Sequence, residues 1–352
     1  MRILGIETSC DETSVAVIDE RGRVLANLIA SQIERHKPFG GVVPEIASRE
    51  HLEHLMPLIE RSLETAAIDR EGIDAIAVTV GPGLIGALLV GVAAAQGLSW
   101  GLGVPMIPVN HLEGHIVSPW LRLEGDALPL PPRFLSLVVS GGHSSIYEVL
   151  AGDPPEVRML NRTRDDAAGE VFDKVAKFVG LPYPGGPHVE RVARDGNPER
   201  FSVPLARFKA ETLDFSFSGL KANAIRLARQ EGLADRGEAA GPLLADFCAS
   251  FQRAIGDQIL DRLERLYQQL RAEKHVPAEI GLAGGVAANG VLRERVARWC
   301  EERGITPRLP EKRFCTDNAA MIAFAGMVLR GTARAADPRR QKAASRMAVG
   351  VV

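Results

Sequence analysis

Ile3-Leu4-Gly5-Ile6-Glu7-Thr8-Ser9-Cys10-Asp11-Glu12-Thr13-Ser14-Val15-Ala16-Val17-Ile18 reads as an apolar strand, a small polar turn and a second apolar strand. The same form returns over Phe134-Leu135-Ser136-Leu137-Val138-Val139-Ser140-Gly141-Gly142-His143-Ser144-Ser145-Ile146-Tyr147-Glu148-Val149. A turn that carries hydroxyls and glycine between strands can present backbone N–H groups and side-chain donors to phosphate. One such turn says little. Two, each opening a half of the chain, predict a duplicated α/β architecture with a ligand between the halves.

The 352 residues exceed what one domain normally needs, and two substantial domains are expected. Their boundary is placed in the proline-rich stretch 119–133, giving domains 1–130 and 131–324, with the first completed by a C-terminal helix around 325–352. A 46% hydrophobic and 24% charged composition, with no run of 18 apolar residues, points to a globular protein away from membranes. Met1-Arg2-Ile3 runs straight into a strand-like segment rather than a leader, so a cytoplasmic location is expected. The 42 basic and 44 acidic residues give no whole-chain case for nucleic acid or anionic lipid. Four scattered cysteines without a Cys-x-x-Cys pair suggest neither a disulfide scaffold nor a zinc knuckle.

Between the two hairpins, 44–66 reads as a helix with Leu52, Leu55, Ile59 and Leu63 on its apolar stripe. A strand over 73–80 ends in Gly81-Pro82-Gly83-Leu84-Ile85-Gly86, and a helix of small apolar residues follows over 87–98. Further on, helices are expected over 167–179, 219–229, 291–303 and 317–330. Another covers 241–274, long enough that a break is expected within it. Asp317 is a candidate cap for the last of these helices.

Three turns, 8–13, 140–144 and 284–289, can surround one nucleotide, since glycine admits close approach and Ser and Thr donate to phosphate. Neither Gly-x-Gly-x-x-Gly after the first strand nor Gly-x-x-x-x-Gly-Lys-Ser/Thr is present, so the common phosphate fingerprints do not apply. In Asn110-His111-Leu112-Glu113-Gly114-His115 two imidazoles stand four residues apart and, on a helix, face one side, where they can share a metal or simply be solvated. This is not the metalloprotease His-Glu-x-x-His, because residue 112 is Leu. Asp317 is a candidate third ligand. Asp165 and Asp166 fit a solvated helix face, whereas Asp173, among Phe172, Val175 and Phe178, suits acceptance from a hydroxyl. His51 and His54 lie beside Glu50 and Glu53 and fit a solvated face as well as a ligand role. Asp214-Phe215-Ser216-Phe217-Ser218-Gly219-Leu220-Lys221 reads equally as an edge strand or a substrate loop. Arg330, Arg334, Arg339, Arg340, Lys342 and Arg346 form a basic surplus, either a phosphate contact or a solvated tail.

Nine segments in order resemble the bacterial tRNA adenosine threonylcarbamoyltransferase family, formerly described as O-sialoglycoprotein endopeptidases. They are GIETSCDET from Gly5, TVGPGLIG from Thr79, VNHLEGH from Val109, VVSGGH from Val138 and FDKVAK from Phe172. LPYPGGP from Leu181, DFSFSGLK from Asp214, GGVAAN from Gly284 and CTDNAA from Cys315 complete the set. The resemblance implies an actin/Hsp70/sugar-kinase-like (ASKHA) fold, two α/β domains around a nucleotide cleft. It implies transfer of threonylcarbamoyl from threonylcarbamoyl-AMP to the exocyclic N6 amine of adenosine 37 in tRNAs reading codons that begin with A.

By the same resemblance His111, His115 and Asp317 bind one divalent metal, iron(II) or alternatively zinc. Val138, Val139, Ser140, Gly141 and Gly142 line the donor's phosphate or carbamoyl region. Asp173, Gly186, Glu190 and Asn289 bind its nucleotide part, and Ser9, Asp11 and Glu12 face the reacting centre. Ser144 and Glu190 stand where relatives often carry Thr and Asp. The opening ETSCDET is similar to the bacterial branch, which implies a smaller paralogue lacking the metal site and a P-loop ATPase as partners beside tRNA. Competing readings are a small-molecule kinase on the same architecture, disfavoured because magnesium prefers oxygen ligands, a metallopeptidase, and a nucleotide-responsive scaffold for a tRNA-modification complex.

Overall fold

The computed structural model describes residues 1–206, 212–330 and 337–350. Two compact units emerge: Met1–Arg133 with Val149–Arg158 and Pro310–Val352, and Phe134–Glu148 with Met159–Leu309. The chain re-enters the first unit at Pro310, ahead of the 324/325 boundary expected from sequence, because the segment after Pro310 carries a buried helix that packs on the first sheet.

That sheet holds β1 (Arg2–Glu7), β2 (Glu12–Asp19), β3 (Val24–Ser31), β4 (Ala75–Gly81) and β5 (Met106–Asn110) in the order β3-β2-β1-β4-β5. β1, β2 and β3 form an antiparallel meander, and β4 and β5 continue parallel to β1. β1 and β4 are buried almost throughout, as strands covered on both faces must be. The helices of this part are α1 (Ile33–His36), α2 (Pro44–Thr65), α3 (Ile85–Leu102) and α4 (His111–Val117).

On α2 the buried residues are Ala47, His51, Leu55, Ile59, Ser62 and Leu63. Leu52, expected in the stripe, is 67% exposed. His51 takes the inward position instead, because its ring bonds to Thr13 Oγ1 at 2.7 Å and to the Cys10 carbonyl at 2.9 Å. It is therefore neither solvated nor a metal ligand, and His54 pairs with Glu50. Helix α3 is long and apolar enough by composition to cross a membrane, yet it lies against β4 and α2 and buries Ala87, Leu88, Gly91, Val92, Ala95 and Ser99.

The second sheet contains β6 (Arg133–Val139), β7 (Ser144–Leu150), β8 (Glu156–Arg162), β9 (Glu279–Ala283) and β10 (Thr306–Arg308), ordered β10-β9-β6-β7-β8. Each sheet therefore runs third, second, first, fourth, fifth, the duplication that the paired hairpins predicted. Its helices are α5 (Ala168–Phe178), α6 (Gly185–Ala193), α7 (Ser218–Gln230), α8 (Pro242–Ala272) and α9 (Gly290–Glu301). The break expected in α8 is absent: it runs for 31 residues, with buried side chains spaced from Leu244 to Leu270 and no proline beyond its first turn. Asp165 and Asp166 lie in the turn before α5 and not on a helix face; Asp165 is exposed, as a solvated residue should be, whereas Asp166 is half-buried, and both carry specific bonds. Asp165 Oδ1 accepts from the N–H groups of Phe217 (2.8 Å) and Ser218 (3.2 Å), and Asp166 pairs with Lys174 and Lys221, so both fasten the start of α7. Of the 214–221 stretch, only Phe215 makes a strand-like bridge, to Thr163, before α7 begins.

The last helix, α10 (Ala319–Ala325), is shorter than expected and ends in a π turn, Gly326–Arg330. Its cap is Asn318, whose side chain accepts from Met321 N at 3.0 Å, and not Asp317. Helix α10 lies close against α4: a Cβ on Gly114 would come within 2.8 Å of Ile322 Cδ1 and 2.9 Å of Met321 Cγ, so a larger residue there would force these side chains to move.

Candidate metal and transfer site

In the first unit α4 starts directly at the end of β5, its first turn capped by Asn110 Oδ1 on Leu112 N at 2.9 Å. His111 and His115 follow one turn apart, with ring centroids 4.8 Å apart and planes crossing at 88°. Capping by Asn318 leaves the Asp317 carboxylate facing the histidines. His115 Nε2 lies 3.1 Å and His111 Nε2 3.5 Å from the same oxygen, Asp317 Oδ1. The candidate donor atoms all fall within 4.8 Å of one another. Two imidazoles and one carboxylate, converging beside a partly open face, suit a borderline first-row divalent metal such as iron(II) or zinc rather than magnesium.

Glu7 supports this set from the end of β1, and sequence reasoning missed it. Fully buried, it lies 2.9 Å from His111 Nδ1 through Oε2, which also accepts from Thr79 Oγ1 at 2.6 Å, while Oε1 accepts from Ser9 N at 2.5 Å. Burial raises the Glu7 pKa, but the charge and hydrogen bond of His111 outweigh it and hold the carboxylate below its usual range. An ionised Glu7 can only accept, so it fixes the proton on His111 Nδ1 and leaves Nε2 free to coordinate. Burial also opposes charge on His111, yet Asp317 and Glu7 raise it to about 9, so without a metal Nε2 also holds a proton, the one that a bound cation would displace. The signal in the sequence was a lone acidic residue ending a strand otherwise apolar.

Ser9 Oγ stands 3.1 Å from His111 Nδ1, so the 8–13 turn meets the histidine pair. Burial raises Asp11, and it pushes Glu12 up to about 8 against the opposing bond from Ser31. Glu113, the acidic residue between the histidines, is turned away and ion-paired with Arg330. It is not placed to activate water for peptide hydrolysis. Arg330 is thereby removed from the basic surplus, Arg339 and Arg340 pair with Asp337, and Arg334 lies outside the described residues.

The residues expected to hold the donor come together within the second unit. Val138 and Val139 end β6, and Val138 pairs with Ala283 of β9. The following turn closes through Ser140 N to the His143 carbonyl at 2.7 Å, and Ser140 Oγ accepts from His143 N at 3.1 Å. Gly169 N, at the start of α5, donates to the Ser140 carbonyl. Asp173 on α5 accepts from Gly185 N at 2.7 Å, Glu190 on α6 accepts from Gly290 N at 3.0 Å, and Asn289 caps α9 through Leu292 N. Four glycines along this path, Gly141, Gly142, Gly186 and Gly285, face open space where a Cβ would meet nothing. Packing does not require them. Gly141, Gly142 and Gly285 leave bare backbone just past the carboxyl ends of β6 and β9, where open α/β sheets take their ligands, and Gly186 does so in the first turn of α6.

The family model described as TsaD, tRNA N6-adenosine threonylcarbamoyltransferase, matches residues 23–324. A protein of that name from Anaeromyxobacter dehalogenans is 48% identical over 333 residues, covering 94% of this chain and 95% of the relative. One from Moorella thermoacetica is 49% identical over 326 residues, covering 92% and 90%. Among solved structures, T. kodakarensis HypF superposes with a TM-score of 0.57 at 14% identity, over 94% of this chain and 48% of that one. The ADPNP-bound activator of 2-hydroxyisocaproyl-CoA dehydratase from Clostridium difficile gives 0.52 at 12% identity, over 95% of both. These likenesses place the duplicated fold in the actin/Hsp70/sugar-kinase-like class.

Proposed function

The chain belongs to the tRNA N6-adenosine threonylcarbamoyltransferase family, and on that premise we propose that it transfers threonylcarbamoyl from threonylcarbamoyl-AMP to N6 of adenosine 37 in tRNAs reading codons that begin with A. The observation that carries the reading is the convergence of His111, His115 and Asp317 backed by Glu7, in a family whose members bear that name. Threonylcarbamoyl-AMP is the donor, and iron(II) is the metal that the two-imidazole, one-carboxylate set suits best.

The adenine N6 lone pair is delocalised into its ring, so the acceptor is a poor nucleophile and the donor must be activated. N6 attacks the carbamoyl carbon, a C–N bond forms, the C–O bond to phosphate breaks, and AMP leaves with that electron pair. When bound by His111, His115 and Asp317, a divalent metal would supply positive charge beside the departing phosphate. Backbone N–H groups of the Ser140-Gly141-Gly142 turn donate to the donor's phosphate or carbamoyl oxygen. Val138 and Val139 shape that region, while Asp173, Gly186, Glu190 and Asn289 receive the nucleotide. Ser9 holds the turn against His111. The proton lost from N6 passes to Glu12, whose raised pKa of about 8 places it close to neutral working conditions, with Asp11 beside it.

tRNA is the macromolecular substrate, and a smaller paralogue without the metal site and a P-loop ATPase are the partners, in the cytoplasm. Mass spectrometry of nucleosides from unmodified, A-decoding tRNA, incubated with threonylcarbamoyl-AMP and this protein with and without those partners, tests the reading. A threonylcarbamoyl mass gain on adenosine, lost in His111→Ala, is expected. Intact donor with competent partners and no gain would refute it.

A further inference from the structure

Glu113 has no role in the transfer, yet its carboxylate is buried beside the metal ligands. It accepts from Arg330 Nη2 at 2.5 Å and Nε at 3.1 Å, and from the Gly350 backbone N–H at 3.0 Å. Asn110, which caps α4 with its Oδ1, donates Nδ2 to the Ala348 carbonyl at 3.0 Å. The segment 341–350 is therefore tied to the histidine helix at two points.

The same segment is tied to the turn that touches Ser9. Ala344 N donates to the Val80 carbonyl at 2.8 Å, and Gly83 N donates to the Ser345 carbonyl at 3.3 Å. The next residue, Leu84, donates its N–H to the Ser9 carbonyl at 2.8 Å. Chain and turn approach so closely that a Cβ on Gly81 would lie 2.3 Å from the Ala344 carbonyl oxygen. Gln96 on α3 donates to the Gln341 carbonyl, and Ala343 and Met347 pack on the core formed by Leu4, Ile6, Val78 and Val80.

We propose that 341–350 is a strap that positions the metal ligands, with Glu113 as its anchor, holding the helix of His111 and His115 in register with the Ser9 turn. The inference rests on the metal reading above. Ligand geometry is set by the groups that hold the ligands, and loosening such supports typically weakens metal binding by about 10–100-fold. Glu113 is a positioning residue: with the strap away, its carboxylate keeps Arg330 but loses the Gly350 donor, and the cap of α4 loses its tie to Ala348.

The test uses Co²⁺ alone, with its visible absorption as the report on ligand geometry and chelator competition as the measure of affinity, so neither tRNA nor donor enters. Three proteins are compared: the full chain, a chain ending at Arg340, and Met347→Glu, which undocks the strap while leaving every residue of α4 intact. Both altered chains are expected to bind Co²⁺ at least about tenfold more weakly with a changed spectrum. A peptide covering 337–352, added in trans, should restore the truncated chain. Full-chain affinity and spectrum in a folded truncation would overturn the inference alone; should the truncation fail to fold, the same result in Met347→Glu would do so. Binding by His115→Ala equal to that of the full chain would overturn the metal reading and the strap with it.

Discussion

Glu7 Oε2 and His111 Nδ1 lie 2.9 Å apart, although 104 residues separate them in sequence. The buried carboxylate chooses which ring nitrogen carries the proton, and so which one faces Asp317. Glu7→Gln keeps the shape but presents an amide that can also donate. Metal affinity measured by chelator competition should fall about 10–100-fold with little change in secondary structure by circular dichroism. Unchanged affinity would mean that His111 is oriented by packing alone.

Burial pushes the Glu12 carboxyl up to about 8, and the raised pKa has a stability consequence of definite sign. The folded state holds the proton more tightly than the unfolded chain, whose carboxyl sits at 4.5, so stability declines as pH rises from 4.5 through about 8. Glu12→Gln removes that penalty. Its melting temperature should match the parent near pH 5 and exceed it by about 1–2 °C at pH 9, for a penalty of roughly 1 kcal/mol after allowance for partial solvent screening. A parallel pH profile in the two proteins would contradict the assignment.

Asp166 carries the opposite shift. Burial raises it, but hydrogen bonds from Lys221, Ser218 and Lys174 outweigh this and pull it well below the ordinary carboxylate range. Its contribution to stability is present above the usual carboxylate pKa and is lost as pH falls toward the folded value. Asp166→Asn should cost roughly 1–3 kcal/mol at pH 7 by denaturant titration, and the difference from the parent should shrink below about pH 3.

Gly186 lies inside α6 with open space where a Cβ would stand. Gly186→Ala is therefore expected to leave thermal stability unchanged or raised by about 0.4–1 kcal/mol. AMP binding by calorimetry should weaken about tenfold or more, because the added methyl intrudes on the surface that receives the nucleotide. Equal AMP affinity would show that the bare glycine path is not the nucleotide seat.

Much of this was legible in the chain because the signals are local. Paired strands around a small polar turn, glycines after apolar runs, and histidines one helical turn apart announce themselves within a dozen residues. What escaped was decided across distance. Nothing near Glu113 in sequence points to Arg330, which lies 217 residues away. The α2 stripe was misread by one position because His51, and not Leu52, finds buried partners in Thr13 and Cys10. Asp317 and Asn318 are both competent caps; only the path of the backbone into α10 decides that the amide caps and the carboxylate is left for the histidines.

The order in which the donors enter the chain carries a further consequence. His111 and His115 stand at the exit of β5, whereas Asp317 arrives 202 residues after His115, once the chain has left β10 and returned to the first unit at Pro310. All three donors belong to that one unit, yet the strands and helices of the second are made between them. A chain under synthesis therefore carries the imidazoles long before it carries the acid, and the centre closes only after the whole second unit has been made.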